Sequence, residues 1–293
     1  MAAIANHPVA VIGSGRVASA LARVLRERGA PLRCVAGRNL EQAYVAAAFA
    51  GEGVEAVPID CVPGVAQNVI IAVSDAAVTP VAEQLAKAGF TRGIALHTCG
   101  SRGPEALAPL ADAGVSTGVL YPLQTFPTPE QGARSLPGTY FAIAGDGPAL
   151  AWARELVALI PGKFIAAEPG KSALFHAAAV MASNYQMTLF DAALEALECA
   201  GANREEALAA LAPIARATLE NTLRMGPQAA LTGPISRGDA ATVRRNLDAL
   251  RAVSRPTQDL YRAAGLRTIP IAVRRGLSPA AARTLQNEFE KTL

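Results

Sequence analysis

The most constraining feature of the sequence is a glycine-rich turn near its start, between an apolar run and a segment with helical spacing. The run Val9–Ile12 leads directly into residues 13–18, which follow the pattern G-x-G-x-x-A. Gly13 permits a tight turn, Gly15 lets a ligand approach the backbone, and Ala18 lets strand and helix pack closely. The pattern therefore predicts a strand–turn–helix that opens a βαβ unit.

The rest of the first half alternates short apolar runs with helical segments. We predict strands at residues 9–12, 32–36, 69–73, 93–97, 115–121 and 140–144, and helices at 17–25, 40–50 and 149–159. Such alternation is typical of a doubly wound, mostly parallel sheet with right-handed crossovers. After about Pro169 almost every segment has helical periodicity. We therefore predict an α/β Rossmann domain over residues 1–169, followed by an all-helical domain over residues 170–293.

Composition and charge exclude several other classes of protein. Hydrophobic residues make up 51% of the chain and charged residues 17%, which argues against disorder. The net charge is only +3, and the basic pairs lack interleaved aromatic residues, so we expect no nucleic-acid partner. The four cysteines are far apart and form no C-x-x-C pair, so we predict no metal site and a reducing compartment. Without a signal-peptide pattern or an apolar run of about 20 residues, we expect a cytoplasmic protein with no membrane partner.

The glycine turn also predicts a dinucleotide site, because a helix N-terminus offers free N–H groups to a pyrophosphate. Where NAD sites carry Asp or Glu after the second strand, this chain has Arg38. A guanidinium can bind a 2′-phosphate through two hydrogen bonds, so NADP is favoured over NAD. The alternatives are a glycine turn without a nucleotide and a solvated Arg38. The predicted cofactor-binding residues are Gly13, Ser14, Gly15, Arg16, Val17, Arg38, Val73, Ser74 and Thr98.

The order of these motifs resembles that of reductases with a 6-phosphogluconate-dehydrogenase-like architecture, which include ketopantoate, β-hydroxyacid and pyrroline-5-carboxylate reductases. The chain is more closely similar to a Rossmann-like NADP oxidoreductase family. That similarity covers nearly the whole chain and is carried by HTCG at 97–100, PLQTF at 122–126, HAAA at 176–179 and GPISRGD at 233–239. It implies the fold and NADP as cofactor, but no substrate. Two positions depart from the family pattern: Cys99 replaces an expected Ser, and Tyr121 an expected His.

Candidates for proton transfer are few, since the chain has three histidines. His7 precedes the first strand, at the end of the sheet away from the nucleotide. His97 ends a predicted strand, where open α/β sheets bind ligands, so we predict that it contributes to the wall of the site. Its alternative is a structural, hydrogen-bonded histidine.

The third histidine lies on a helix that we predict to start near Lys171. At 100° per residue, one stripe of this helix would carry His176, Val180, Ser183, Asn184, Met187 and Asp191. We predict that His176 transfers the proton and that Asn184 orients the substrate, although a satisfied interior polar network would give the same pattern. Several related reductases use a Lys and an Asn four residues apart, but Phe175 follows Lys171 at that spacing.

Three further residues are predicted to contact substrate. Cys99 would form a small part of the wall, Gln124 lies in the PLQTF segment, and Arg237 could clamp a carboxylate or phosphate. Asp239, two residues after Arg237, is more typical of a helix N-cap than of a catalytic group.

Together these features favour an NADP(H)-dependent oxidoreductase that transfers hydride to or from a small, anionic keto, hydroxy or imine substrate. Two alternatives stay open: a non-catalytic NADP-binding sensor, and a reductase whose electron partner is a deazaflavin. The apolar excess after Lys171 and the pairing of related architectures also predict a homodimer through the helical half.

Overall fold

The computed structural model describes residues 7–291, which form two compact units. The first unit ends at Ser183 and the second begins at Asn184. The domain boundary after residue 169 stays a prediction; by contacts, the helix Ser172–Ala182 belongs with the first unit.

The first unit is built on a single mostly parallel sheet, as the sequence predicts. Its strand order is β3-β2-β1-β4-β5-β6-β7-β8, of which the first six follow the order typical of a Rossmann fold. Only the pairing of β6 with β7 is antiparallel. Within the described residues the strands are β1 (Val9–Ile12), β2 (Leu32–Ala36), β3 (Glu55–Val57), β4 (Asn68–Ile71), β5 (Ile94–His97), β6 (Ser116–Pro122), β7 (Tyr140–Gly145) and β8 (Lys163–Ala166).

Helices cover both faces of this sheet. The helices of the first unit are α1 (Arg16–Glu27), α2 (Leu40–Ala50), α3 (Val78–Lys87), α4 (Ala108–Asp112), α5 (Pro129–Ser135), α6 (Gly147–Leu159) and α7 (Ser172–Ala182), of which α7 has no buried residue. Successive residues of β1 point to opposite faces: Val9 and Val11 join the core under α1 and α6, whereas Ala10 and Ile12 join the core under α3 and α4. A sheet covered on both sides needs near-continuous apolar strands, which is what the sequence has.

The two strands that the sequence did not predict are β3 and β8. They form the two edges of the sheet and are only three and four residues long. All four residues of β8 are exposed, and its apolar residues Phe164, Ile165 and Ala166 form a run too short to indicate a strand. Short edge strands such as these leave little periodic signal in a sequence.

The second unit is entirely helical within its described residues. Its helices are α8 (Asn184–Cys199), α9 (Arg204–Ala230), α10 (Pro234–Arg237), α11 (Ala240–Ala249), α12 (Arg255–Arg274) and α13 (Pro279–Glu290). Gly226 kinks α9 with φ of 78°, and Pro227 follows it. The core is small and consists of Val243, Leu247, Ile269, Leu285 and Phe289. The predicted N-cap is confirmed, since Asp239 accepts a hydrogen bond from Thr242 N at 3.0 Å.

The predicted single helix from Lys171 through Asp191 was wrong. The chain leaves the helical conformation at Ser183, with φ of −128° and ψ of −71°, so α7 ends at Ala182 and α8 begins at Asn184. Ser183 Oγ donates to the Ala179 carbonyl at 2.7 Å, a local bond that bends helices. His176 and Asn184 therefore do not share one helical stripe.

Across residues 7–291, no helix combines the length and the apolar character needed to cross a membrane.

Candidate active site

A cavity of about 850 Å³ opens at the carboxyl ends of the central strands of the first unit. The loops after β1, β2, β4, β5 and β6 all contribute to its lining. Because five of these strands run parallel, their carboxyl ends meet at one edge, where α/β sheets bind ligands. All nine predicted cofactor residues line this cavity, and so does His176.

The two glycines of the turn, Gly13 and Gly15, have different structural roles. Gly13 has φ of 125°, and a Cβ there would lie 2.2 Å from the Ala72 carbonyl oxygen. Gly15 has ordinary dihedral angles, and a Cβ there would have no neighbour within 4 Å. Gly13 is thus required by the fold, whereas the space beside Gly15 belongs to the cavity.

Gly15 is also the N-cap of α1, and its own lack of a side chain leaves the helix end uncapped. The first N–H groups of a helix have no partner within the helix, and the dipole concentrates positive charge there. Arg16, at the first position of α1, adds a cationic side chain whose Nη1 donates to the Pro127 carbonyl at 3.2 Å. This end of the cavity is built to receive an anion.

A second cation lies at the β2 end of the cavity. Arg38 and Gly37 follow β2, and Asn39 starts α2 by accepting a hydrogen bond from Gln42 N at 3.0 Å. The side chains that line this end are basic or neutral: Ser14, Arg38, Asn39 and Gln42. They would accept an additional phosphate, whereas an Asp or Glu at the end of β2 would repel one.

The opposite end of the cavity holds a tyrosine–histidine pair. A hydrogen bond of 3.3 Å joins Tyr121 Oη to His176 Nδ1, and the two rings meet edge to face with centroids 6.0 Å apart. The Tyr121 ring packs over Gly100, where a Cβ would lie 2.5 Å from Cζ. Burial raises the pKa of Tyr121, and the nearby Asp75 and Cys99 raise it further, so the phenol stays protonated.

Asp75 supplies the negative charge at this end. Ser101 Oγ donates to Asp75 Oδ2 at 2.7 Å. Burial alone would raise the pKa of Asp75, but hydrogen bonds from Ser101 and Cys99, together with the electrostatic influence of the nearby His176 and His97, outweigh it. The pKa of Asp75 is therefore lowered, and its carboxylate is ionised at neutral pH.

Cys99 lies next to this cluster as a buried thiol. Its Sγ is 3.3 Å from Ser101 Oγ, and burial is the largest cause of its raised pKa. A thiol with a raised pKa is a poor nucleophile. Cys99 belongs to the core below the sheet's carboxyl edge and does not line the cavity itself.

His97 is also outside the cavity lining, because its side chain is completely buried. Its Nδ1 accepts a hydrogen bond from Cys99 N at 3.1 Å, which leaves Nε2 as the protonated nitrogen that donates to the Gly103 carbonyl at 2.9 Å. Burial lowers the pKa of His97 more than its neighbours raise it. The ring is a neutral cross-link that fixes the loop after β5, which is the structural alternative considered from the sequence.

The remaining predicted substrate residues are not brought together in this unit. Gln124 is exposed, and its Nε2 donates to Thr139 Oγ1 and the Ser135 carbonyl, away from the lining. Asn184 and Arg237 belong to the second unit, where Arg237 is the exposed last residue of α10. Residues 7–291 contain no cluster of acidic, cysteine or histidine side chains that could hold a metal ion.

Two lining residues, Asp75 and Tyr121, carry chemistry that the sequence analysis did not assign. Asp75 follows β4, and Tyr121 lies near the end of β6. Because open α/β sheets bind ligands at the carboxyl ends of their strands, both residues could have been predicted from their positions. In the sequence, Tyr121 stands out only because it replaces the His that the family pattern has at this position.

Comparison with known proteins finds two family models along the chain. Residues 3–122 match a Rossmann-like domain, and residues 139–268 match DUF2520, a domain of unknown function. Among curated protein sequences there is no match.

Several solved structures with the same fold are described as oxidoreductases. A candidate NADP oxidoreductase from Bacteroides fragilis is 22% identical with a TM-score of 0.73, over 91% of this chain and 99% of that one. A reductive aminase from Aspergillus terreus, solved with NADPH and ethyl-5-oxohexanoate, is 20% identical with a TM-score of 0.64, over 92% and 94%. An imine reductase from Pseudomonas is 19% identical with a TM-score of 0.65, over 95% and 99%.

At these identities the structural likeness shows a shared fold. The two family models match successive parts of the chain, first a Rossmann-like domain and then DUF2520.

Proposed function

We propose that this protein is an NADP(H)-dependent oxidoreductase that reduces, or forms by oxidation, a C=O or C=N bond of a small molecule. One observation carries the proposal: a single cavity joins an anion-binding helix end and Arg38 to a hydrogen-bonded tyrosine–histidine pair. The NADPH-bound relatives with this fold add support.

The residues present fit a dinucleotide phosphate. The open space beside Gly15, at the uncapped N-terminus of α1, would receive the pyrophosphate. Arg38 at the end of β2 would bind the 2′-phosphate, while Val73, Ser74 and Thr98 would line the nicotinamide end. When bound, the dinucleotide supplies or accepts the hydride.

His176 is the proposed histidine for proton transfer. It lines the cavity, is only partly buried and contacts Tyr121, whereas His97 has both ring nitrogens occupied inside the protein. The sequence favoured an anionic substrate. The ionised Asp75 instead argues for a neutral or cationic group on the substrate atoms nearest to it.

The tyrosine–histidine pair also favours an enzyme over a sensor. A protein that only senses NADP needs the turn and Arg38, but it has no need for a protonated phenol, an imidazole and a carboxylate at the other end of the cavity.

The proposal is tested by following NADPH oxidation by the purified protein with a panel of small ketones, 2-keto acids and cyclic imines. We expect turnover with at least one class, without any added deazaflavin. Tight NADPH binding with no turnover across the panel would favour the sensor. Turnover only with an added deazaflavin would favour a reductase whose electron partner is a deazaflavin.

We also propose a homodimer formed through the helical unit. Large apolar side chains of α9 are exposed in the single chain; Leu223 is 78% and Ile214 64% exposed. Leu208, Leu219 and Leu223 lie close to one side of α9 at 100° per residue. Sedimentation at micromolar concentration should give a dimer, and Leu223→Glu should weaken it; a wild-type monomer would contradict the proposal.

A further inference from the structure

The tyrosine–histidine pair admits a sharper assignment of roles, which rests on the proposed function. We propose that Tyr121 is the catalytic residue that gives the proton to the substrate, and that His176 is a positioning residue that acts through the Tyr121 oxygen.

Tyr121 and His176 are held by different elements of the fold. Tyr121 stands near the end of β6, paired in register with Ala142 of β7, so its backbone is fixed by the sheet. Its ring packs against Gly100, and the Cβ of any other residue at position 100 would collide with the ring. His176 is on α7, and its Nδ1 is already directed at the Tyr121 oxygen. A proton donor needs the more rigid of the two positions.

The direction of the hydrogen bond between Tyr121 and His176 also supports this assignment. If Nδ1–H of His176 donates to Tyr121 Oη, the hydroxyl hydrogen of Tyr121 is free to point into the cavity. The negative charge of the Asp75 carboxylate opposes a phenolate, so Tyr121 keeps the hydroxyl hydrogen that it would give to the substrate. Cys99, the other titratable group that acts on Tyr121, is held as a neutral thiol.

In the proposed step, one proton moves from Tyr121 to the substrate and a second moves from His176 to Tyr121. As hydride from the reduced dinucleotide reaches the carbon of the C=O or C=N bond, the π pair goes to the oxygen or nitrogen. That atom takes the proton of Tyr121, whose O–H bond breaks and leaves its electron pair on Oη. The proton on Nδ1 of His176 then passes to Oη and restores the phenol. His176 is partly exposed, so a proton from solvent can replace the one that the imidazole gives up.

The first test does not require turnover. In the ligand-free protein labelled with ¹⁵N-histidine, Tyr121→Phe should change the Nδ1 chemical shift of His176 while leaving His97 unchanged. Tyr140→Phe is the matched control, since Tyr140 is an exposed strand tyrosine outside the cavity. An unchanged His176 shift in Tyr121→Phe would overturn the proposal.

The second test uses the substrate that the panel identifies. Tyr121→Phe keeps the ring and removes only the donor, so kcat should fall by about 10²–10⁴-fold with little change in the Kd for NADPH. His176→Gln should also lower kcat, and the double variant should be no slower than Tyr121→Phe, because the histidine acts through the hydroxyl.

Additive losses in the double variant, or near-normal turnover in Tyr121→Phe, would instead make His176 the direct donor and refute the assignment. Failure of the wild-type protein to oxidise NADPH with any panel member counts against the proposed function, and the histidine spectra then decide the Tyr121–His176 coupling on their own.

Discussion

The two units of this chain bury their apolar side chains to very different extents. Helix α1 of the first unit has seven buried residues out of twelve, whereas α9 of the second has one, Ala207, out of 27. A sheet offers two wide faces that helices can cover completely, whereas the described residues of the second unit contain no sheet. The first unit can therefore hold a rigid site by itself, while the second leaves large apolar side chains of α9 exposed.

The same contrast is visible in how the cores are organised. Two large clusters, one on each face of the sheet, consist mainly of residues with no exposure at all. The second unit has one cluster of five buried residues, bordered by an ion-paired glutamate, Glu288. Disturbances of the first unit should therefore affect folding and ligand binding, and those of the second should affect mainly assembly and acid stability.

The largest expected effect is on the cavity. Gly15→Val places a branched side chain in the space beside the N-terminus of α1, so NADPH binding should be lost from the measurable range. The melting temperature should stay close to that of the wild-type protein, because a Cβ at this position meets no neighbour.

Gly13→Ala is the paired control. Its Cβ would collide with the Ala72 carbonyl, so this variant should lose stability as well as binding. Equal NADPH affinity in Gly15→Val and the wild-type protein would show that the glycine turn does not bind the nucleotide.

A matched pair of leucines tests the difference in burial directly. Leu21 in α1 is fully buried, and Leu21→Ala should lower the free energy of unfolding by about 2–5 kcal/mol. Leu223 in α9 is 78% exposed, and Leu223→Ala should change the free energy of unfolding of the monomer by less than about 0.5 kcal/mol. Urea denaturation measures both, with the single tryptophan, Trp152, reporting on the first unit. Similar losses of unfolding free energy for the two variants would contradict the difference in burial between the two units.

The smallest expected effect is the acid stability of the second unit. Hydrogen bonds from Arg244 and Lys291 lower the pKa of Glu288 from 4.5 to about 2. A pKa lowered by folding adds stability that is complete above pH 4.5 and is lost as the pH falls towards 2. Glu288→Gln should therefore be less stable at neutral pH, and the difference from wild type should shrink over this acid range.

Asp248 is the control for this ion pair, because the Asp248–Arg251 pair is exposed on both sides. Asp248→Asn should leave the acid profile almost unchanged. A Glu288→Gln profile parallel to that of the wild-type protein would show that the ion pair adds no pH-dependent stability.

The sequence predicted the parts of this molecule that depend on local pattern. Strand–turn–helix spacing located the Rossmann sheet, and all nine cofactor residues line one cavity because they follow parallel strands. The edge strands β3 and β8 were missed because they are only three and four residues long, and the break at Ser183 contains no glycine or proline that would indicate it.

The chemistry at the far end of the cavity was harder to predict, since it depends on contacts between distant residues. Tyr121 and His176 are 55 positions apart, and Asp75 meets Ser101 across 26 positions. The neutral state of His97 likewise follows from burial and two backbone partners, neither of which residue type or spacing reveals.

The most direct test of the account is a calorimetric titration of the wild-type protein and Arg38→Ala with NADPH and NADH. The account predicts that NADPH binds the wild-type protein more tightly than NADH. Loss of a charge-assisted contact of about 1.5–3 kcal/mol should weaken NADPH binding to Arg38→Ala by roughly tenfold or more, with NADH little affected. Equal affinities for the two nucleotides, equal losses in the variant, or no binding of either nucleotide would contradict it.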